Sequence, residues 1–309
     1  MARWIIRALL ALLFLLAFAT LAMVRLDHPA AEVEARWATP PSKFIDVDGM
    51  RVHVRERGTG PTLVLLHGSN SSLFTWEGWA RELGGDHHII AFDLPGHGLT
   101  GPDAKARYTP QDMAEFVDHV VTKLGADRFA LAGNSMGGHI ALAYTLEHPK
   151  RVEKLILIDS SGLPREEPRP LVFRITNIPL LGRLFVWVTP RFAVAASVRQ
   201  VYGDPSKVTD EMIGLYDDLL LREGNREASR IRLALPEDSQ TPRRLGELHL
   251  PVLILWGARD KWVLPKYGER LHQAIAGSKL VMLDGLGHVP MEEDPAVTAR
   301  IARDFISQP

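Results

Sequence analysis

Short apolar runs punctuate the chain: Thr62 to Leu66 (TLVLL), His88 to Phe92 (HIIAF), Arg128 to Ala132 (RFALA), Lys154 to Ile158 (KLILI), Pro251 to Trp256 (PVLILW) and Lys279 to Leu283 (KLVML). Within them apolar residues follow one another instead of alternating with polar ones. That pattern predicts strands buried on both faces, and so a mainly parallel sheet. Between the runs lie helical patterns over Pro110 to Leu124, Met136 to His148, Leu264 to Ala276 and Pro295 to Ser307. Strands alternating with helices predict an α/β layered fold. Upstream, Lys43 to Val47 and Arg51 to Arg55 flank Asp48-Gly49, which reads as a hairpin. From about 163 to 247 the rhythm breaks. A connection that long needs structure of its own. Helix-like stretches at Leu180 to Val188 and Asp210 to Arg222 predict a helical cap there, inserted into a core of residues 42–162 and 248–309.

The N-terminal 25 residues follow a different rule. Trp4 to Val24 is almost wholly apolar, with Arg7 near one end, and about 20 such residues suffice to span a hydrocarbon core. Arg3 precedes the run and Arg7 lies near its start, which orients the N-terminus inward and the body outward. Two outcomes are open: an uncleaved membrane anchor, or a signal peptide cut after Ala17-Phe18-Ala19 and a secreted body. Either puts the body outside the cytoplasm. Residues 26–41, with Pro29, Pro40 and Pro41, read as a linker.

Composition narrows the chemistry. The 309 residues are 46% hydrophobic and 24% charged, an ordinary globular balance. A net charge of -1 leaves no basic excess to neutralise phosphates along a nucleic acid. Without a single cysteine, the chain has no disulfide, thiolate metal site or cysteine nucleophile.

The sharpest signal is Gly133-Asn134-Ser135-Met136-Gly137-Gly138, set between an apolar run and a helical pattern. Strand, Gly-x-Ser-x-Gly, helix is the context of a nucleophile elbow: small residues permit the sharp turn that lifts the Ser135 hydroxyl above the strand end. A serine hydroxyl needs a base, and the base an orienting carboxylate. Asp260 follows the PVLILW run and His288 follows the KLVML run, in the order acid then histidine. Asp159, at the end of KLILI, is the rival acid. The tetrahedral oxyanion needs two donors. The backbone N–H of Met136 is one, and the loop His67-Gly68-Ser69-Asn70 supplies Ser69 as the other.

These motifs, with Asp93-Leu94-Pro95-Gly96-His97-Gly98, resemble the serine α/β-hydrolases of the capped Gly-x-Ser-x-Gly type, from about residue 42 to the C-terminus. The resemblance implies an α/β-hydrolase fold, helices on both faces of the sheet, a helical cap and carboxylic-ester hydrolysis without cofactor or metal. It also implies that Asp93 and His97 are scaffold. The Asn-Ser-Met-Gly-Gly elbow is similar both to esterases and lipases, including membrane-anchored monoacylglycerol lipases, and to carbon–carbon hydrolases of ring-fission products. The second branch usually carries Trp after the catalytic histidine, where this chain has Val289, and a Gly-rich run where it has Ser69-Asn70-Ser71-Ser72. A third alternative is a ligand receptor on the same fold.

Other features read as structure. Asp86-His87-His88 lacks a matching ligand cluster. Tryptophans 76, 79, 187, 256 and 262 read mostly as packing, and Glu292, Glu293 and Asp294 as a charged helix start. Arg174, Arg183 and Arg191 read as a solvated face. The cap runs Leu171-Val172-Phe173, Ile178-Pro179-Leu180-Leu181 and Leu184 to Val188 predict a pocket for an acyl or lipid ester beside the membrane.

Overall fold

The computed structural model describes residues 2–167, 178, 182 and 186–308, with the side chains of residues 2, 13, 16, 17 and 19 outside that description. The cap runs over 171–173 and 179–181, and Arg174, Arg183, Leu184 and Phe185, lie outside it too.

Eight strands form one sheet in the order β1-β2-β4-β3-β5-β6-β7-β8. They are β1 (Lys43–Val47), β2 (Met50–Arg57), β3 (Thr62–Leu66), β4 (His88–Phe92), β5 (Phe129–Asn134), β6 (Val152–Ile158), β7 (Val252–Gly257) and β8 (Lys279–Leu283). The β1–β2 and β2–β4 pairings are antiparallel. The other five are parallel. Asp48 and Gly49 adopt φ of 54° and 79°, which closes the β1–β2 hairpin in register Val47 to Met50. Strands β5 and β7 are buried at every position, and their sequences show no alternation for that reason.

Apolar side chains leave the sheet on both faces. One face packs Val64, Leu66, Leu131 and Ile254 against α4 (Pro110–Lys123) and α5 (Met136–Glu147). The other packs Leu63, Leu65, Ile156 and Leu253 against Trp76, the helix α3 (Glu77–Leu83) that carries Trp79, and the last helix, Pro295–Ile306. Trp76, Trp79 and Trp256 are core residues, whereas Trp187 is exposed.

Between β6 and β7 the chain forms α6 (Arg191–Val201), α7 (Asp210–Leu221) and α8 (Asn225–Leu233). The N-terminal segment packs against these helices and also touches β2, where Arg51 and Arg55 bond to Glu34 and the Thr39 carbonyl. Helix α1 covers Ala2–Ala22, and its described large side chains, Trp4, Leu9, Phe14 and Phe18 among them, are exposed. No helix among the described residues is long and apolar enough to cross a membrane. The expected span therefore finds no support there, and the observation that remains is an exposed apolar helix.

Residues 26–41 are not the free linker their prolines suggest. Helix α2 occupies Ala30–Trp37. Arg25 donates to both Asp217 oxygens at 2.6 and 2.9 Å, and Arg226 Nε donates to Asp27 at 2.8 Å. The His28 N–H donates to the Leu221 carbonyl, and Trp37 Nε1 to Asp218. Each partner sits on the cap about 180 residues or more away, out of reach of any local pattern.

Candidate active site

Every sequence-predicted site residue sits at the C-terminal end of a parallel strand, where open α/β sheets present their ligands. The elbow follows from its glycines. A Cβ on Gly137 would lie 2.2 Å from the Leu66 carbonyl oxygen, and one on Gly133 would lie 2.3 Å from that of Gly137. Only hydrogen fits at both places, so α5 approaches β3 and β5 closely. The turn between them forces Ser135 to φ 53° and ψ −116°. Such a conformation is costly for a non-glycine residue and persists where its surroundings over-determine it. Here the Ser135 N–H donates to Ile158, and the Ser135 carbonyl accepts from the Ser161 N–H and hydroxyl.

His288 Nδ1 lies 2.7 Å from Asp260 Oδ2. Asp260 Oδ1 accepts from the backbone N–H groups of Trp262 and Val263 at 2.7 and 3.1 Å, so the carboxylate is held from behind. No hydrogen bond within 3.5 Å joins the Ser135 hydroxyl to the imidazole among the described residues, yet both line the same cavity. Such contacts often tighten only with substrate bound.

Asp159, the rival acid, is fully buried and makes no hydrogen bond to His288. Its Oδ1 accepts from the Gly257 N–H at 2.9 Å, and its Oδ2 is buried without a partner. Burial first, and the charge of Asp260 second, push its pKa well above the carboxylate range. Burial and the neighbouring Asp260 thus favour the neutral form of Asp159, which sits behind Asp260. Asp159, Asp260 and His288 bring ligand atoms within 4.8 Å of one another, but Asp260 and His288 are already committed to each other.

Ser69 and Met136 flank Ser135. A Cβ on Gly68 would lie 3.3 Å from that of Ser135, so the loop after β3 runs directly past the serine. Neither the Ser69 nor the Met136 N–H donates to a protein acceptor among the described residues. Below this loop His67 Nδ1 donates to the Gly68 carbonyl, and Nε2 accepts from the Leu94 N–H. Burial lowers the pKa of His67, consistent with that neutral tautomer. Asp93 is scaffold: it accepts from Leu73 and Leu99 N–H groups and meets His53 Nδ1, each at 2.7 Å. Burial pushes its carboxyl upward, but the neighbouring His53 and His67 and the Leu73 donor hold it below the usual range. His97 is buried beside it.

The cavity encloses about 370 Å³ between strand ends and cap. Met113, Ile140, Leu163, Val198, Leu235 and Val263 supply an apolar lining. Several polar residues around it escape sequence reasoning. Glu293, read above as part of a helix start, is buried; it accepts backbone N–H bonds from Gly203 and Gly287 on Oε2 and from Asp204 on Oε1, at 2.8–2.9 Å. It thereby ties the loop carrying His288 to the cap. Glu292 accepts from Thr75 and from the cavity residue Tyr216. Asp294 does cap the last helix, accepting from the Val297 N–H. Asn134 donates to the His288 carbonyl at 2.9 Å. Helix α8 offers the one signal that was legible: Asn225, Ser229 and Arg232, at i, i+4 and i+7, form a polar stripe. They reach Gly98, Asn70 and Ser69 respectively.

A serine lifted on a strained elbow, a histidine–carboxylate pair and free backbone donors around one cavity belong to a hydrolytic enzyme. The chain is a member of the alpha/beta hydrolase family, whose sequence profile matches residues 63–301. It is 31% identical over 274 residues to an uncharacterized hydrolase, YugF, of Bacillus subtilis, covering 87% of this chain and 99% of that one. It is 29% identical over 282 residues to a 2-hydroxy-6-oxononadienedioate/2-hydroxy-6-oxononatrienedioate hydrolase of Klebsiella pneumoniae, covering 86% and 96%. A solved bacterial membrane phospholipase A superposes with a TM-score of 0.73 at 26% identity, covering 99% of this chain and 98% of that one.

Proposed function

We propose that the protein hydrolyses carboxylic esters bearing an acyl chain, with Ser135 as nucleophile, His288 as base and Asp260 as the orienting acid. The carrying observation is Ser135 itself, held at φ 53° on the wall of an apolar cavity that it shares with His288. The hydroxyl adds to the ester carbonyl as its proton passes to His288 Nε2. Asp260 stabilises the imidazolium, and the oxyanion accepts from the N–H groups of Met136 and Ser69. Collapse releases the alcohol, which takes the proton back from His288. Water, activated by the same base, then frees the acid.

The apolar lining supports an acyl preference. Each buried methylene contributes about 0.8 kcal/mol, near a factor of four in kcat/KM, until the cavity is full. Membrane contact rests on α1, whose exposed apolar side chains continue through Arg25 into the cap. The likeness to a membrane phospholipase A extends over 99% of the chain and so includes this helix. On this reading the exposed apolar surface of α1 holds the enzyme to a membrane.

The test is kcat/KM for p-nitrophenyl acetate, butyrate and octanoate in neutral detergent, with wild type and Ser135→Ala. The rate constant should rise with chain length and vanish in the variant. Equal rates for the two proteins refute the nucleophile, and a steady decline from acetate refutes the acyl pocket. Fractionation of the full chain and of a variant lacking residues 1–24 tests membrane contact; equal release into the soluble fraction refutes it. The dienedioate hydrolases among the relatives support a second reading, carbon–carbon cleavage. A vinylogous diketone acid assayed beside the esters decides it, since faster turnover of that compound would displace the ester reading.

A further inference from the structure

Arg232 brings a positive charge to the cavity wall beside Ser69, and nothing in the ester reading uses it. It sits at the end of α8, half-buried, among the residues lining the cavity with Ser135 and His288. Its bonds among the described residues all run through Nη2, to the hydroxyls of Ser69 at 2.6 Å and Ser229 at 3.4 Å. Nε is buried without an acceptor. No carboxylate among the described residues forms an ion pair with it, whereas Arg226 and Arg230 on the same helix pair with Asp27 and Glu227.

An unpaired guanidinium in a cavity is costly unless an anion completes it, because its desolvation has no protein partner to offset it. Burial lowers the pKa of Arg232 to about 10, which still leaves it charged at neutral pH. Burial holds down the two buried histidines under the loop, His67 and His97, and the charge of Arg232 adds to that. Of the two carboxylates on the cavity wall, Glu237 and Asp238, the second is engaged elsewhere, 2.9 Å from His139 Nε2. The position is not incidental. The stripe of Asn225, Ser229 and Arg232 fastens α8 to three loop residues, so the guanidinium is held in register with the loop that passes Ser135.

The geometry points to Arg232 as the binding site for a phosphate group of the substrate, carried on the same molecule as the acyl ester and seated beside Ser69 while the apolar wall takes the chain. This rests on the ester reading for the bond that is cleaved, but the anion site itself does not. A planar guanidinium offers paired donors that match phosphate oxygens, and a charge-assisted bond of that kind is worth about ten-fold or more in affinity.

The experiment separates the two claims. Binding of octyl phosphate, 1-octylglycerol and inorganic phosphate, none of which has an ester to hydrolyse, is measured by calorimetry on the full chain in neutral detergent. Wild type, Arg232→Gln and Arg232→Lys are compared. Octyl phosphate should bind at least ten-fold more tightly than octylglycerol to wild type, with the preference lost in Arg232→Gln and partly kept in Arg232→Lys. In parallel, the kcat/KM ratio for 1-lauroylglycerol 3-phosphate over 1-lauroylglycerol should fall by a similar factor in Arg232→Gln, mainly through KM. Equal affinity of wild type for the charged and neutral amphiphiles overturns the site, and that comparison decides alone where Arg232→Gln fails to fold. Inorganic phosphate binding as tightly as octyl phosphate overturns the assignment to a substrate group. Arg232-dependent binding without turnover of either lauroyl ester leaves the anion site standing and removes the ester reading instead.

Discussion

Replacing Glu293 by alanine tests whether the site is held together from behind. The carboxylate accepts three backbone N–H groups at 2.8–2.9 Å, two from the cap segment at Gly203 and Asp204 and one from Gly287, next to His288. Hydrogen bonds to a charged group contribute about 1.5–3 kcal/mol each, and the alanine variant leaves its donors in a buried site with no acceptor. Taking the low end for each bond gives a loss of about 4–5 kcal/mol, a large part of the total stability of a domain. For a domain of this size each kcal/mol lowers Tm by about 2–4 °C, so a fall on the order of 10 °C is expected. Glu293→Gln keeps the carbonyl on Oε2 for Gly203 and Gly287 but turns an amide donor toward Asp204, so it should lose about a third to a half as much. Thermal unfolding followed by circular dichroism measures both, and hydrogen exchange at the 287–289 amides reports the loop itself. A Glu293→Ala protein within 2 °C of wild type, with unchanged exchange at those amides, would show that this carboxylate does not brace the loop.

The Asp260→Asn variant should lose on the order of 10⁴ in kcat, because the amide cannot stabilise the imidazolium, whereas folded Asp159→Asn should lose far less; the opposite ranking of ester turnover would exchange their roles. Asp159→Asn should also change the pH dependence of stability. A carboxyl whose pKa is raised by folding contributes stability below its unfolded pKa and loses it as pH climbs through the folded value. The variant should therefore gain on wild type in Tm as pH rises above about 4, and a constant difference there would contradict a raised pKa for Asp159. Gly137→Ala should cost about 1–3 kcal/mol or prevent folding, since the new Cβ meets backbone oxygens rather than a yielding side chain; an unchanged Tm would mean that the elbow is looser than its contacts imply.

Local sequence was enough for the sheet and for the residues on its strand ends. Strands buried on both faces must be apolar at consecutive positions, so β3 to β7 stood out by composition alone. Ser135, Asp260 and His288 were legible because each follows such a run within a few residues, and the elbow glycines restrict the turn in a way that few other residues satisfy. The sequence likewise pointed to Asp48-Gly49 as a hairpin. The residues that gain meaning from distant partners stayed silent. Asp27 and Arg226 are 199 residues apart, and their pairing turns an apparent linker into a strut for the cap. Arg232 and Ser69 are separated by 163 residues, and nothing in the run Arg226 to Arg232 distinguishes the arginine left without an acid from those that have one. Glu293 looks like any acidic residue before a helix until the cap folds over it. Asp159 and Asp260 end neighbouring strands; chain order favoured Asp260, and the hydrogen bond to His288 in the folded chain falls to Asp260 while Asp159 accepts from Gly257 behind it. The physical division follows from range: backbone conformation and burial pattern are written in neighbouring residues, whereas charge state, ion pairing and the shape of a cavity belong to groups that meet only after the chain has closed on itself.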